Sequence, residues 1–523
     1  MNTIGEMNLE LAWKRVLQDR PDRAFTSYPH IIDVIKSDCP GWLETIRAKL
    51  VSQNGYVPSD CVICDIPKPN WLVRPGAVLT LEDEVVYNGI LGQFHEIIWS
   101  QLQWSQGEPD VGYRLSAPSK TPLWVKSDFI IWDEWRRKSI AHLRDEVFYV
   151  VTTDITGFYE NINLHRISSD LRKLGASGDL HNLLMIMLNR WSLPRGKGIP
   201  QGYSASNIIA KIYLEPVDHS LRNSGFVHLR YVDDYRIFCK TSLEAKLALI
   251  KLNELIRNRG LNLQSAKTKI LKANEARIEF DGVSSLINSI GHQIAAELRE
   301  MGIGLASYGT LKELQNYIDS NPTAPPPSIL ERAFTENFLA SGDGFDKTLF
   351  HYLLTRLGKV GSTCAIDYCL RLMPLKPEET KYILRYLSNF SMGAHVEYEI
   401  MNYLASADAV YEYQLFEITR WLYEQNKVSE RLFQYCRQSI SDKNLYVWHR
   451  LYCMAILGKS ADTSDFDLIE GQYAAAANTT EQTEVLMSLA GMELGRRNSF
   501  MARVKDDGFL VQAAAKYIKS TRI

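Results

Sequence analysis

The stretch LRYVDDYRIFCK, residues 229–240, sets two aspartates side by side in an otherwise strand-like run. Before them, Val227, Leu229 and Tyr231 alternate with His228 and Arg230; after them, Tyr235, Ile237 and Cys239 alternate with Arg236 and Phe238. Period-two alternation on both sides of a short acidic break predicts a β-hairpin whose turn carries Asp233 and Asp234. Two like charges on a tight turn repel unless something positive lies over them. The identity of that positive partner is the question the rest of the chain has to answer.

Upstream, FYVVTTDITGFYENI (148–162) is a β-branched run that ends in Asp154 and passes into a turn or helix. A carboxylate at a strand end and a carboxylate pair on a hairpin turn are how a palm-type sheet builds a two-metal site. Two Mg²⁺ ions about 3.5–4 Å apart, replaceable by Mn²⁺, would activate an attacking hydroxyl and stabilise leaving pyrophosphate. The partner expected over the acids is therefore a pair of divalent cations with a nucleoside triphosphate. Taken singly, either acidic element reads equally well as a solvated turn.

At 523 residues the chain is too long for one core, and two or three domains are expected. No run approaches the roughly eighteen uncharged apolar residues of a membrane helix, and MNTIGEMNLELAWKRVLQDR has no signal-peptide pattern, so a cytosolic protein is expected. Among the 8 cysteines, Cys61 and Cys64 form a CxxC, and Cys364 and Cys369 stand five apart. No second close pair has zinc-site spacing, so they read as small buried hydrophobes in a reducing compartment and no zinc is expected. Net charge is −2, balanced on both sides of residue 290, so nucleic acid would be gripped by local patches rather than by a global field.

Residues 1–290 mix short strand-like runs, Gly/Pro turns and helices, whereas SNPTAPPPS (320–328) is too proline-rich for a regular element. Beyond it, segments such as FDKTLFHYLLTRLGKV, PEETKYILRYLSNFS, YQLFEITRWLYEQNK and LYVWHRLYCMAILGKS carry apolar residues at i, i+3, i+4 and i+7. The expected architecture is an α+β region over 1–290 and an all-α, HEAT-like helical repeat region over 291–523.

The order and wording of five elements between residues 66 and 271 resemble a reverse transcriptase, with right-hand fingers and palm. IPKPNWLVRP (66–75) resembles the fingers element that offers a Lys and an Arg to the incoming triphosphate, which falls on Lys68 and Arg74. VTTDITGFYENI resembles the motif bearing the first metal-binding Asp, with the carbonyl of Ile155 as a further metal ligand. GIPQGYSASNIIAKIYLEPVD (198–218) resembles the PQGxxxS motif beneath template and nucleotide, implying Gln201, Gly202 and Ser206. YVDD resembles the catalytic box, and GLNLQSAKTKIL (260–271) the element whose lysine, here Lys267, would protonate pyrophosphate. Plain alternatives stay open: PQG is a turn signal, and Ser206 reads equally as the cap of the helix that follows.

Tyr159 stands five residues after Asp154, where RNA-synthesising palm polymerases tend to place an Asp. A bulky aromatic there would fill the space of a ribose 2′-hydroxyl and favour dNTPs; the alternative is a core tyrosine on a helix face. Arg114 in GYRLS is a further candidate contact, and Arg136, Arg137 and Lys138 are a solvated helix face or a phosphate contact.

A palm and fingers followed by a large helical region resembles the abortive-infection (Abi) group of bacterial antiphage reverse transcriptases, and no endonuclease, RNase H, maturase or retron signature accompanies it. That resemblance implies a helical domain in place of a thumb, homo-oligomerisation, bacterial cytoplasm, and DNA synthesis without a template. It also implies priming from a tyrosine hydroxyl, which leaves the DNA product attached to protein. Of the 26 tyrosines, Tyr28 and Tyr56 lie in loop-like contexts and are the candidates. A templated enzyme copying a dedicated non-coding RNA, and an inactive palm serving a helical scaffold, are the rival readings.

Overall fold

A computed structural model describes residues 4–19, 28–104, 108–118, 128–144, 146–192, 196–282, 286–287, 289–290, 293, 328–340, 344–460 and 462–521. The chain forms two compact units. The first comprises Met1–Thr26, Leu43–Cys64 and Pro75–Gly282; the second comprises Ser27–Trp42, Asp65–Arg74 and Val283–Ile523. The second unit thus includes two short segments that the sequence reading places with the N-terminal region. Among the described residues, no helix is long and apolar enough to cross a membrane.

Strands β1 (Val62–Pro67) and β2 (Val73–Val78) form a two-stranded sheet. A four-stranded antiparallel sheet joins β3 (Tyr149–Thr153), β4 (Val227–Tyr231), β5 (Asp234–Cys239) and β6 (Lys269–Lys272) in the order β4-β5-β3-β6. Alternation decides the faces of this sheet. Val150, Leu229 and Phe238 join Ile131 and Trp135 of helix Asp128–His142 and Ala276 and Phe280 of helix Ala273–Asp281 in one apolar cluster. The opposite face packs on helices Ser204–Asn223 and Ser242–Asn258. Burying both faces explains why β3 reads as a nearly continuous apolar run rather than an alternating one.

The second unit is helical from Ser328 onward among the described residues. The segments singled out in the sequence form helices Lys347–Lys359, Ile366–Leu375, Thr380–Leu387, Glu412–Glu424, Glu430–Ser439 and Val447–Leu457. Every second helix packs on the next but one: Lys347–Lys359, Thr380–Leu387, Glu412–Glu424, Val447–Leu457, Thr479–Ser488 and Phe509–Thr521 follow one another in a row. A continuous core runs through this row, from Phe350 and Leu353 through Ile383, Ile418 and Ile456 to Leu486, Ala514 and Ile518. The short helix Ile31–Ser37 then packs on Phe509–Thr521 and covers the end of the row. Its first turn is held by the buried carboxylate of Glu484, which accepts from the backbone N–H of Ile31 (2.7 Å) and of His30 (3.0 Å). Glu484 also lies 2.8 Å from His30 Nδ1. A carboxylate at a helix N-terminus satisfies donors that have no intrahelical partner.

Candidate active site

Sheet register explains how residues eighty positions apart meet. Thr153 pairs with Tyr235 across the β3–β5 ladder, so the next step along β3 sets Asp154 opposite Asp234. Tyr231 pairs with Asp234 across β4–β5, which leaves Val232 and Asp233 as the two-residue turn. Carboxylate oxygens of Asp154, Asp233 and Asp234 all lie within 4.8 Å of one another. Among the described residues this is the one group of acidic, His or Cys side chains close enough to share a metal ion.

The electrostatics are those of three crowded carboxylates with one ammonium beside them. Burial, then repulsion from Asp154 and Asp234, pushes the Asp233 carboxyl up to about 7. Asp234, more open to solvent, is pushed up to about 6 by partial desolvation and by Asp154. Lys267 reaches over from the segment before β6 and its ammonium lies 2.5 Å from Asp154 Oδ2, which raises the lysine's own pKa. Arg236 lies two residues beyond Asp234 on β5, its guanidinium 4.2 Å from the ring centre of Trp135 and 3.7 Å from that of Phe280. Three clustered carboxylates, of which two are forced toward protonation, form an all-oxygen donor set suited to hard divalent cations such as Mg²⁺ or Mn²⁺.

The main chain of Ile155 fits the same picture. Thr156 N–H donates to Asn262 (2.9 Å) and Gln264 N–H donates to Asp154 (2.7 Å), a pattern that brackets an Ile155–Leu263 bridge without using Ile155. Its own N–H and C=O therefore turn to the other side of the strand, where β5 lies.

The PQG turn leads into helix Ser204–Asn223, with Gln201 half-buried and Gly202 at φ 96°, a left-handed conformation that favours glycine. Ser206 is fully buried, and its hydroxyl is hydrogen-bonded to that of Tyr87 (3.0 Å) rather than capping the helix. Asp19 instead holds that helix end, accepting from Ser204 N–H and Oγ–H. Tyr159 is buried and donates its hydroxyl to Asn207 Oδ1 at 2.6 Å, one turn into the same helix.

Lys68 and Arg74 sit at the tip of the β1–β2 hairpin and belong to the second unit. There the tip is held by Tyr446, which accepts from Asp65 N–H (2.9 Å), and by Tyr411, which donates to the Trp71 carbonyl (3.2 Å). Arg114 pairs with Glu134, Arg137 with Asp133 (2.7 Å), Arg136 with Asp133 and Asp281 (3.3 and 3.2 Å) and Lys138 with Glu134 (3.3 Å). All four basic side chains are thus engaged in ion pairs, each with at least one carboxylate on helix Asp128–His142. The two tyrosines that the sequence singles out as priming candidates have different surroundings. Tyr56 donates its hydroxyl to Asp83 (2.8 Å), and Tyr28 packs against the core of the second unit.

Sequence reasoning missed what lies under the hairpin. Arg230, Asp218, Asp110, Lys211 and His228 form one buried ionic cluster, assembled from three separate chain segments. Single polar residues within strand and helix patterns are weak signals, and His228 and Arg230 fit the alternation of the hairpin without marking themselves as buried.

Residues 107–294 match the profile of the family described as "Reverse transcriptase (RNA-dependent DNA polymerase)". The central part of the chain therefore carries a domain of reverse transcriptase type. A comparison with curated proteins finds no match. Among solved structures, telomerase from Candida albicans in complex with a fragment of telomeric RNA is similar at 12% identity, over 86% of this chain and 70% of that one, with a TM-score of 0.33. Telomerase from Candida tropicalis is similar at 13% identity, over 69% of this chain and 67% of that one, with a TM-score of 0.30. Likeness at this level carries no conclusion about architecture or activity.

Proposed function

We propose that the protein is a DNA polymerase of reverse transcriptase type that adds dNTPs by metal-assisted phosphoryl transfer, and that it acts in antiphage defence. The observation that carries the reading is the convergence of Asp154, Asp233 and Asp234 within 4.8 Å. In this reading the three carboxylates and the Ile155 carbonyl hold the metal. Bound there, a pair of divalent cations would supply charge stabilisation for the attacking and leaving oxygens. Lys267 leaves Asp154 for the pyrophosphate oxygen, to which its ammonium donates a proton. Tyr159, fixed through its hydroxyl to Asn207, closes the space of a 2′-hydroxyl and selects dNTPs. By the same resemblance Lys68 and Arg74 serve the triphosphate, and Gln201, Gly202 and Ser206 serve the nucleotide.

The reading extends to synthesis without a template, primed from a tyrosine hydroxyl of the protein, in an oligomer built on a HEAT-like helical unit. The near-neutral charge supports it, since an enzyme that holds no long duplex needs no basic channel. The test is to incubate the pure protein with Mg²⁺ or Mn²⁺ and one labelled dNTP without template, then denature. Label that travels with the polypeptide and disappears in the Asp233→Ala/Asp234→Ala variant is the expected result. Product that is free nucleic acid complementary to a co-purified RNA would defeat the untemplated reading. Full incorporation by the double variant would end the metal-site assignment.

A further inference from the structure

The turn that bears Asp233 is built on an unfavourable backbone. Val232 has φ 57°, in the left-handed region, where a β-branched side chain crowds its own backbone. Glycine would relieve this strain, but the chain keeps valine. Such a conformation persists only where its surroundings over-determine it.

The surroundings do so from beneath. Arg230 is 2% exposed, and its Nη1 donates to the Val232 carbonyl at 2.9 Å. The rest of the guanidinium is fixed: Nε donates to both Asp218 oxygens (3.0 and 2.9 Å), and Nη2 lies 2.6 Å from Asp218 and 3.0 Å from Asp110. Lys211 pairs with Asp110, and His228 Nε2 stands 3.3 Å from Asp218. The strand backbone is held as well, since Arg230 N–H donates to Pro109 (2.5 Å) and Val111 N–H donates to Arg230 (2.8 Å). From above, Gly112 lies so close that a Cβ there would meet Val232 N at 2.5 Å.

A buried ionic cluster is a poor stabiliser, because well-packed apolar residues of the same volume do as well or better. What apolar residues could not supply is a rigid planar fork with one arm committed to the turn carbonyl. We propose that Arg230, locked by Asp218 and Asp110, is a positioning residue that clamps Val232 in its left-handed conformation and so aims Asp233 at Asp154 and Asp234. This inference rests on the reading of the three carboxylates as a divalent-cation site.

The test uses the full-length, nucleotide-free protein and Mn²⁺ alone, with free Mn²⁺ counted by electron paramagnetic resonance. Arg230→Lys keeps the charge opposite Asp218 but has no second arm for Val232. It should weaken Mn²⁺ binding about tenfold. Adding Val232→Gly, which adopts positive φ freely, should recover most of that loss in Arg230→Lys/Val232→Gly. A merely structural role for Arg230 would not be rescued at residue 232. Should Arg230→Lys not fold, as judged by circular dichroism, Asp218→Asn with and without Val232→Gly carries the same comparison. Wild-type affinity in the single variant overturns the clamp, as does a double variant no better than the single one. A wild-type protein that binds no Mn²⁺ overturns the cation-site reading itself, and the clamp falls with it.

Discussion

Replacing Asp233 by Asn should change how stability responds to pH in metal-free protein, by an amount that follows from the crowding of the three acids. The Asp233 carboxyl is pushed from an ordinary 3.8 to about 7 in the folded chain, first by burial and then by Asp154 and Asp234. Between those two values the folded protein binds a proton that the unfolded chain has released. The stabilisation is therefore complete below about pH 4 and is lost as pH rises through 7. From pH 6 to pH 8 the wild type should lose about 1.4 kcal/mol from this group alone, while Asp233→Asn, with nothing to titrate, should lose none. In a unit of this size that difference corresponds to roughly 3–5 °C in Tm. Calorimetry at pH 6 and pH 8 in EDTA, on both proteins, reads it directly. Wild type should fall more steeply than the variant, and Mn²⁺ should restore the wild type at pH 8 but not the variant. Parallel pH slopes would refute the argument, for they would mean that neither burial nor the neighbouring acids raise the Asp233 carboxyl.

Three further outcomes are expected. Lys267→Met removes the ammonium 2.5 Å from Asp154; turnover should fall about 10²-fold or more while Mn²⁺ binding to the nucleotide-free protein tightens, as steady-state rates and a metal titration would show. Tyr159→Ala should raise incorporation of rNTPs relative to dNTPs by about 10- to 100-fold, measured as a ratio of kcat/KM values, with dNTP use largely kept. Glu484→Ala leaves the buried N–H groups of His30 and Ile31 without their acceptor, and should cost about 2–4 kcal/mol. Melting of the full chain and faster proteolysis around residues 28–42 would show the loss.

The hairpin was legible because its two signals agree: alternation on each strand and a two-residue gap between them. Asp154 was legible because the run 148–153 is β-branched and stops at an acid. That the two elements meet was not written in either of them; it depends on the β3–β5 register, in which Thr153 faces Tyr235. The helices of the second unit were legible from their 3.6-residue period, which packing of every second helix then used. The buried ionic cluster was opaque. Asp110 and Arg230 are distant in sequence, and neither lies in a pattern that marks it as buried, so only tertiary folding reveals the pair. The same holds for Glu484, whose partners lie more than four hundred residues earlier. Lys267 shows a subtler gap: its place in the sequence points to a role toward the leaving group, and its ion pair with Asp154 is visible only in the fold.

The covering of the helical row by residues 31–37 has a consequence for how the chain is made. Those residues are translated more than four hundred positions ahead of the surface that receives them, on Thr479–Ser488 and Phe509–Thr521. An apolar segment containing Ile31, Val34 and Ile35 must therefore wait for its cover until those positions have been made. A nascent chain stalled before residue 479 would therefore expose a sticky helix for chaperones to hold.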